Sequence, residues 1–143
     1  MFQDKLSKYS DKGFFKFKHT QFLKDVCNAP TKNSGIYLIY HKNDLIYIGS
    51  SGQRNRNGKL KTRISGLGGM KDRIVNGYHP KFGKIQRKKV FPEIMRKEKI
   101  DELIIFWYVT YDYKENFDFP TDVEKELCLI YKKKYGALPK WHK

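Results

Sequence analysis

Residues 34–49 read SGIYLIYHKNDLIYIG, two short Ile- and Tyr-rich runs on either side of the polar tetrad His41-Lys42-Asn43-Asp44. Such runs, bounded by turn formers, predict a hairpin with strands near 35–40 and 45–49. Side chains alternate between faces along a strand, so the turn decides which residues share a face. A two-residue turn centred on Asn43-Asp44 pairs Tyr40 with Tyr47 and sends Tyr37 to the opposite face. A three-residue loop, Lys42-Asn43-Asp44, pairs Ile39 with Tyr47 and brings Tyr37 onto the same face. We expect the three-residue loop, or a bulge with the same effect. Gly49 then ends the second strand where backbone or phosphate can approach closely.

The remaining pattern surrounds this hairpin with helices. Residues 14–17 (FFKF) suggest a short strand. His19 to Cys27 suggest a short helix that ends before Pro30, because the residue before proline avoids helical geometry. Residues 50–58 (SSGQRNRNG) read as a polar loop. Its Gly52…Gly58-Lys59 spacing is one residue too long for a P-loop, and Leu60 stands where Ser or Thr belongs. Leu60, Ile64 and Leu67 at i, i+4, i+7 predict a helix over 59–67, closed by Gly66, Gly68 and Gly69. Some helix is expected over the basic stretch 70–98, interrupted near Pro92. Leu103 to Tyr111 (LIIFWYVTY) predicts a central strand buried on both sides. A last helix over 122–135 places Lys132, Lys133 and Lys134 at the negative end of its dipole. The order β-β-α-α-β-α gives an α/β fold with a small central antiparallel sheet flanked by helices. We read one domain over 1–143, with 1–33 as an N-terminal extension and 34–143 as the core.

Composition narrows the partner. Thirty Lys and Arg oppose fifteen acids, for a net charge of +15, and aromatics make up 15% of residues. Basic plus aromatic is the balance of a nucleic-acid binder. Cys27 and Cys128 make neither a disulfide framework nor a zinc pattern, and the four histidines lack metal-ligand spacing. Reduced thiols, no apolar run of membrane-spanning length and no signal-peptide pattern point to a cytoplasmic protein.

Gly35-Ile36-Tyr37, nine residues, then Tyr47-Ile48-Gly49 resembles the GIY-YIG nuclease family. Arg63 in KLKTRISGL and Glu126 in ELCLIYKKKY, which resembles an E-x-x-L-I-x-x-Y helix, extend the likeness over residues 35–139. The resemblance implies metal-dependent cleavage of a DNA phosphodiester, with Mg2+ or Mn2+ held by Glu126. Hydrolysis needs an oriented or deprotonated water and stabilisation of charge on the non-bridging oxygens. Tyr37 or Tyr47 can serve the water and Arg63 the phosphate, since a guanidinium donates in pairs and stays charged.

Periodicity does not choose between Glu124 and Glu126. Thr121-x-x-Glu124 has the form of a capping box, which gives Glu124 a structural task and leaves Glu126 for metal. The expected pocket therefore brings Glu126 and Arg63 into one cleft. Two positions depart from the family pattern. Leu67 stands where some members carry a histidine, with His41, His79 or Lys59 as unranked substitutes. His142 stands near where many carry an asparagine, and its imidazole can donate or accept as an amide does. Arg54, Arg56, Lys59, Lys61, Lys84, Arg87 and Lys88 are expected to grip double-stranded DNA. The leading expectation is an endonuclease of restriction, phage or repair type. The alternative is a DNA-binding module that keeps the fold without cleaving. A one-site enzyme must dimerise or reposition to cut both strands, so a homodimer belongs among the expected partners.

Overall fold

The computed structural model describes residues 1–143. In chain order the elements are α1 (Gln3–Leu6), β1 (Lys12–Lys18), α2 (Leu23–Val26), β2 (Ser34–His41), β3 (Asp44–Ser51), β4 (Gln53–Arg54), β5 (Leu60–Lys61), α3 (Gly69–Asn76), α4 (Arg87–Glu98), β6 (Glu102–Tyr111) and α5 (Pro120–Tyr135). Four strands form one antiparallel sheet in the order β1-β6-β2-β3, and β4 and β5 form a small separate ribbon. The expected α/β class with a small antiparallel sheet is present. No helix is long and apolar enough to cross a membrane.

The sheet is covered on both faces. One face carries Tyr37, Ile39, Tyr47, Ile105 and Trp107 and packs against Met70, Ile74, Phe91 and Met95 of α3 and α4. The other carries Ile36, Leu38 and Ile48 and packs against Phe2, Leu6, Val123 and Leu127 of α1 and α5. β6 lies between β1 and β2, as its apolar run predicts. Its inner residues Leu103, Ile105, Trp107 and Val109 are buried, while Ile104, Phe106 and Tyr108 are half-buried.

The first 33 residues are not an extension. β1 pairs along its length with β6, and Phe15, Phe17, Leu23, Cys27 and Ala29 belong to the main core. The strand FFKF was legible, but its partner lies some ninety positions away in sequence and the local pattern does not name it.

The helix expected over 59–67 does not form. Leu60–Lys61 pairs with Gln53–Arg54 instead, Ile64 is 90% exposed, and Leu67 is exposed. The glycines read as a helix end precede a helix. Gly66, Gly68 and Gly69 all adopt positive φ, and α3 starts at Gly69 with Met70, Ile74 and Val75 as its buried stripe. Pro92 does not interrupt α4, which runs through it for twelve residues.

The hairpin has the register that puts both tyrosines on one face. Tyr37 pairs with Gly49 and Ile39 with Tyr47, and a bulge between Ile39 and Tyr40 shifts the pairing to Tyr40–Leu45 and His41–Asp44. Lys42, at φ +54°, takes the left-handed position of the turn. The bulge, not a three-residue loop, supplies the odd residue. The ring centroids of Tyr37 and Tyr47 lie 6.2 Å apart.

Both triplet glycines have packing reasons. A Cβ on Gly49 would fall 2.4 Å from Cζ of Tyr37 and 2.5 Å from its hydroxyl oxygen. The Tyr37 ring thus lies across the strand in the space a side chain would fill, and it is this ring, rather than backbone or phosphate, that Gly49 admits. A Cβ on Gly35 would fall 1.9 Å from the Tyr108 carbonyl oxygen, next to the register shift between Ser34 and Gly35 on the β6 side.

Candidate active site

α5 lies against β3 and β2, and its start decides which glutamate faces the sheet edge. The N-cap is Phe119 and Pro120 occupies the first turn, where its fixed φ and missing N–H cost nothing. Thr121 is therefore inside the helix, no capping box forms, and Glu124 is released from the task assigned to it. Val123 and Leu127 enter the core, Glu124 is half-buried beside Ser50, and Glu126 turns outward.

Glu126 is thereby excluded from the expected pocket. Its carboxylate pairs with Lys5 at 2.5 Å, is 48% exposed, and lies in a surface groove with Tyr9, Asp118 and Asp122. Arg63 lies elsewhere. Its Nε donates to Asp72, which is 2% exposed and also accepts from the Leu67 N–H (2.9 Å) and from Asn76 (2.7 Å). Burial works against the Asp72 charge, but Asn76, Arg63 and the Leu67 amide outweigh it and hold the carboxyl below its ordinary range. Arg63 thus ties the 63–68 loop to α3. Glu126 and Arg63 share no cleft, so the pair drawn from the sequence is corrected.

A different constellation converges beside β3. Glu124 carries a raised pKa, chiefly from burial, opposed by the Ser50 hydroxyl and by the charges of Arg73, Arg87 and Lys125. None of the ion pairs in the molecule includes Glu124, Arg73 or Arg87. Arg73 projects from α3, is partly exposed, and donates Nη1 to the Tyr78 carbonyl at 3.0 Å. It lines a cleft of about 840 Å³ with Ser50, Lys61, Arg63, Asn76 and Gln86, and no acid lines that cleft. Neither Arg73 nor Ser50 stood out in the sequence. Arg73 was one of thirty basic residues, and the misplaced helix over 59–67 drew attention to Arg63. The glycine-rich stretch before α3 was the available signal, read from the wrong side.

Tyr47 is the outer of the two tyrosines. Burial and the neighbouring Tyr37 push its phenol up, Arg87 and Arg73 pull it down, and the net direction is up, so Tyr47 is a neutral hydrogen-bonding group. Tyr37 is fully buried, and its hydroxyl has no hydrogen-bond partner. Two imidazoles flank Tyr47, His79 at 4.1 Å and His142 at 4.6 Å between ring centroids. His79 Nε2 lies 2.8 Å from the Trp141 carbonyl and must donate to it, which leaves Nδ1 as the acceptor. Burial, then the Arg87 charge, lowers its pKa to about 3, so it is neutral. His142 Nε2 accepts the Ile48 N–H at 3.1 Å, and burial keeps this ring neutral as well. His79 thus stands at Tyr47, whereas His41 sits at the hairpin turn and Lys59 on the exposed ribbon.

The expected DNA-gripping residues divide. Arg56, Lys59, Lys61, Lys84 and Lys88 are exposed. Arg54 pairs with Asp122 at 2.7 Å and stacks 3.7 Å over the Phe119 ring, which docks the ribbon on the start of α5. Arg87 is corrected outright, since its side chain is wholly buried and reaches no groove. Comparison with protein-family models, curated proteins and solved structures finds no match for this chain.

Proposed function

We propose that the chain is a metal-dependent endonuclease acting on double-stranded DNA, with its site built on Glu124, Arg73 and Tyr47 rather than on Glu126 and Arg63. The observation that carries this reading is the Glu124 carboxylate, half-buried without an ion-pair partner, beside a basic cleft that no acid lines. Its likeness to the GIY-YIG family rests on the paired triplets and on the tyrosine pair they bring to one face.

Glu124 is the residue that would hold a divalent cation. Mg2+ is commonly bound by one or two carboxylates with waters and substrate phosphates completing its shell. No cluster of three His, Cys, Asp or Glu is present, and a lone carboxylate beside the Ser50 hydroxyl fits that sparse mode. When bound, the cation would supply Lewis-acid charge to the phosphate and the leaving oxygen. Arg73 and Arg87 oppose a cation arriving alone and favour one arriving with phosphate.

The chain's own groups take the remaining tasks. Arg73 donates its fork to a non-bridging oxygen and offsets the charge that grows there in the transition state. Tyr47, kept neutral by burial, orients the attacking water by hydrogen bonding. Tyr37, His79 and His142 hold the Tyr47 ring in place rather than touch substrate. Lys61 and the exposed bases of the ribbon and of α4 grip flanking phosphates, so binding weakens steeply with salt. The test is nicking of supercoiled plasmid with Mg2+ by the wild type and by Glu124→Gln. Binding without nicking by the wild type would select the non-cleaving DNA-binding module.

A further inference from the structure

A second guanidinium, that of Arg87, lies close to Arg73. Arg87 is fully buried, and Nη1 donates to the Arg73 carbonyl at 2.7 Å. Its Nε and Nη2 have no partner, and no carboxylate pairs with it. A guanidinium does not deprotonate in a protein, and a buried charge lacking its counter-charge is strongly destabilising. The rings of Tyr37 and Tyr47, 5.4 and 5.8 Å away, offset part of this through their π faces.

The position of Arg87 relative to the cleft is informative. Gly77 lines the cleft, and its carbonyl accepts the Arg87 N–H at 3.0 Å. A Cβ on Gly77 would lie 2.4 Å from Nη1 of Arg73 and 3.1 Å from Nη1 of Arg87. Two guanidinium groups therefore converge beside Gly77, and no ion pair in the molecule includes either of them. Like charges held together without an intervening acid are an arrangement suited to a visiting anion.

We propose that Arg73 and Arg87 form a two-guanidinium subsite for a phosphate oxyanion, in which Arg73 touches the anion and Arg87 is a positioning residue. Arg87 fixes the Arg73 backbone through its carbonyl and adds a second positive charge from its buried position. The inference rests on reading the cleft as a phosphodiester site, and it names the part of that site which binds the phosphate. Inorganic phosphate and the phosphodiesters of a duplex share this chemistry.

The experiment uses metal-free protein, so that binding is read without cleavage. Calorimetric titrations with inorganic phosphate and with a short DNA duplex, at equal ionic strength, compare the wild type with Arg73→Ala, Arg87→Met and Arg87→Lys. The expected result is loss of the phosphate site in Arg73→Ala, weakening of about fivefold or more in Arg87→Met, and affinity within about twofold of wild type in Arg87→Lys. A purely structural Arg87 would lower stability yet leave the affinity of the folded protein unchanged, and a folded Arg87→Met that binds like the wild type overturns the proposal. If Arg87→Met does not fold, the Nε–H signals of 15N-labelled wild-type protein decide. Phosphate should shift those of both Arg73 and Arg87, and an unmoved Arg87 signal overturns the proposal. Arg87-dependent binding of phosphate without binding of the duplex would sustain the subsite and defeat the nuclease reading. Plasmid nicking with Arg87-independent phosphate binding would do the reverse.

Discussion

Substituting Gly49 by Ala tests why the paired triplets carry the glycine and tyrosine they do. The new methyl carbon would lie 2.4 to 2.6 Å from three atoms of the Tyr37 side chain, and nothing else is among its nearest neighbours. Tyr37 is fully buried in the main core, so its ring has no free space to enter. Overpacking of this kind costs about 1–3 kcal/mol, and the lower backbone freedom of alanine returns about 0.5–1 kcal/mol. The net loss should be about 1–2 kcal/mol, or roughly 3–8 °C in Tm for a chain of this size. Tyr37→Ala alone should cost about 3–5 kcal/mol by leaving a cavity. In Tyr37→Ala with Gly49→Ala the clash disappears, so the double variant should be no less stable than Tyr37→Ala. Urea denaturation of the four proteins gives the coupling directly, expected at about 1–3 kcal/mol, as for residues in contact. Costs that add to within about 0.5 kcal/mol would refute the cross-strand packing.

Further outcomes follow from the corrected site. Burial raises the Glu124 pKa against the pull of Ser50, Arg73 and Arg87, so its contribution to stability is present below the ordinary glutamate range and is lost as pH rises through the raised value. Glu124→Gln does not ionise there, and its Tm should gain on that of the wild type between pH 4 and pH 8; a constant difference would contradict the burial argument. Glu126→Gln breaks only a surface pair with Lys5, and the nicking rate should stay within about twofold of wild type, since exposed pairs contribute little. Arg73→Ala removes a transition-state donor and should lower the nicking rate by about 10²–10³-fold under single-turnover conditions. Arg63→Ala strands a buried Asp72 and should cost about 1–3 kcal/mol in thermal unfolding, with a smaller effect on the rate of the folded enzyme.

The strands were legible because their signals are local. The Ile/Tyr runs of the hairpin, the LIIFWYVTY run and FFKF each became a strand where the pattern placed them. The face shared by Tyr37 and Tyr47 was legible as well, because period-two geometry leaves few registers to choose from. What failed was the reading of helix boundaries. Leu60, Ile64 and Leu67 have helical spacing, but three positive-φ glycines, Gly66, Gly68 and Gly69, lie among and beside them, and left-handed backbone begins α3 instead of ending an earlier helix. Pro120 outranked Thr121 at the start of α5. The expected cap at Thr121 and the E-x-x-L-I-x-x-Y likeness both pointed to Glu126, which lies on the far side of the helix from the cleft. The role of β1 and the burial of Arg87 depend on contacts between distant segments, which no window of sequence displays.

The proposed chemistry turns on which glutamate of α5 serves the reaction. Supercoiled plasmid, Mg2+ and equal amounts of wild type, Glu124→Gln and Glu126→Gln, each first confirmed as folded by circular dichroism, provide the comparison. Nicked product is expected from the wild type and Glu126→Gln and none from Glu124→Gln. Nicking by Glu124→Gln at the wild-type rate would contradict this expectation.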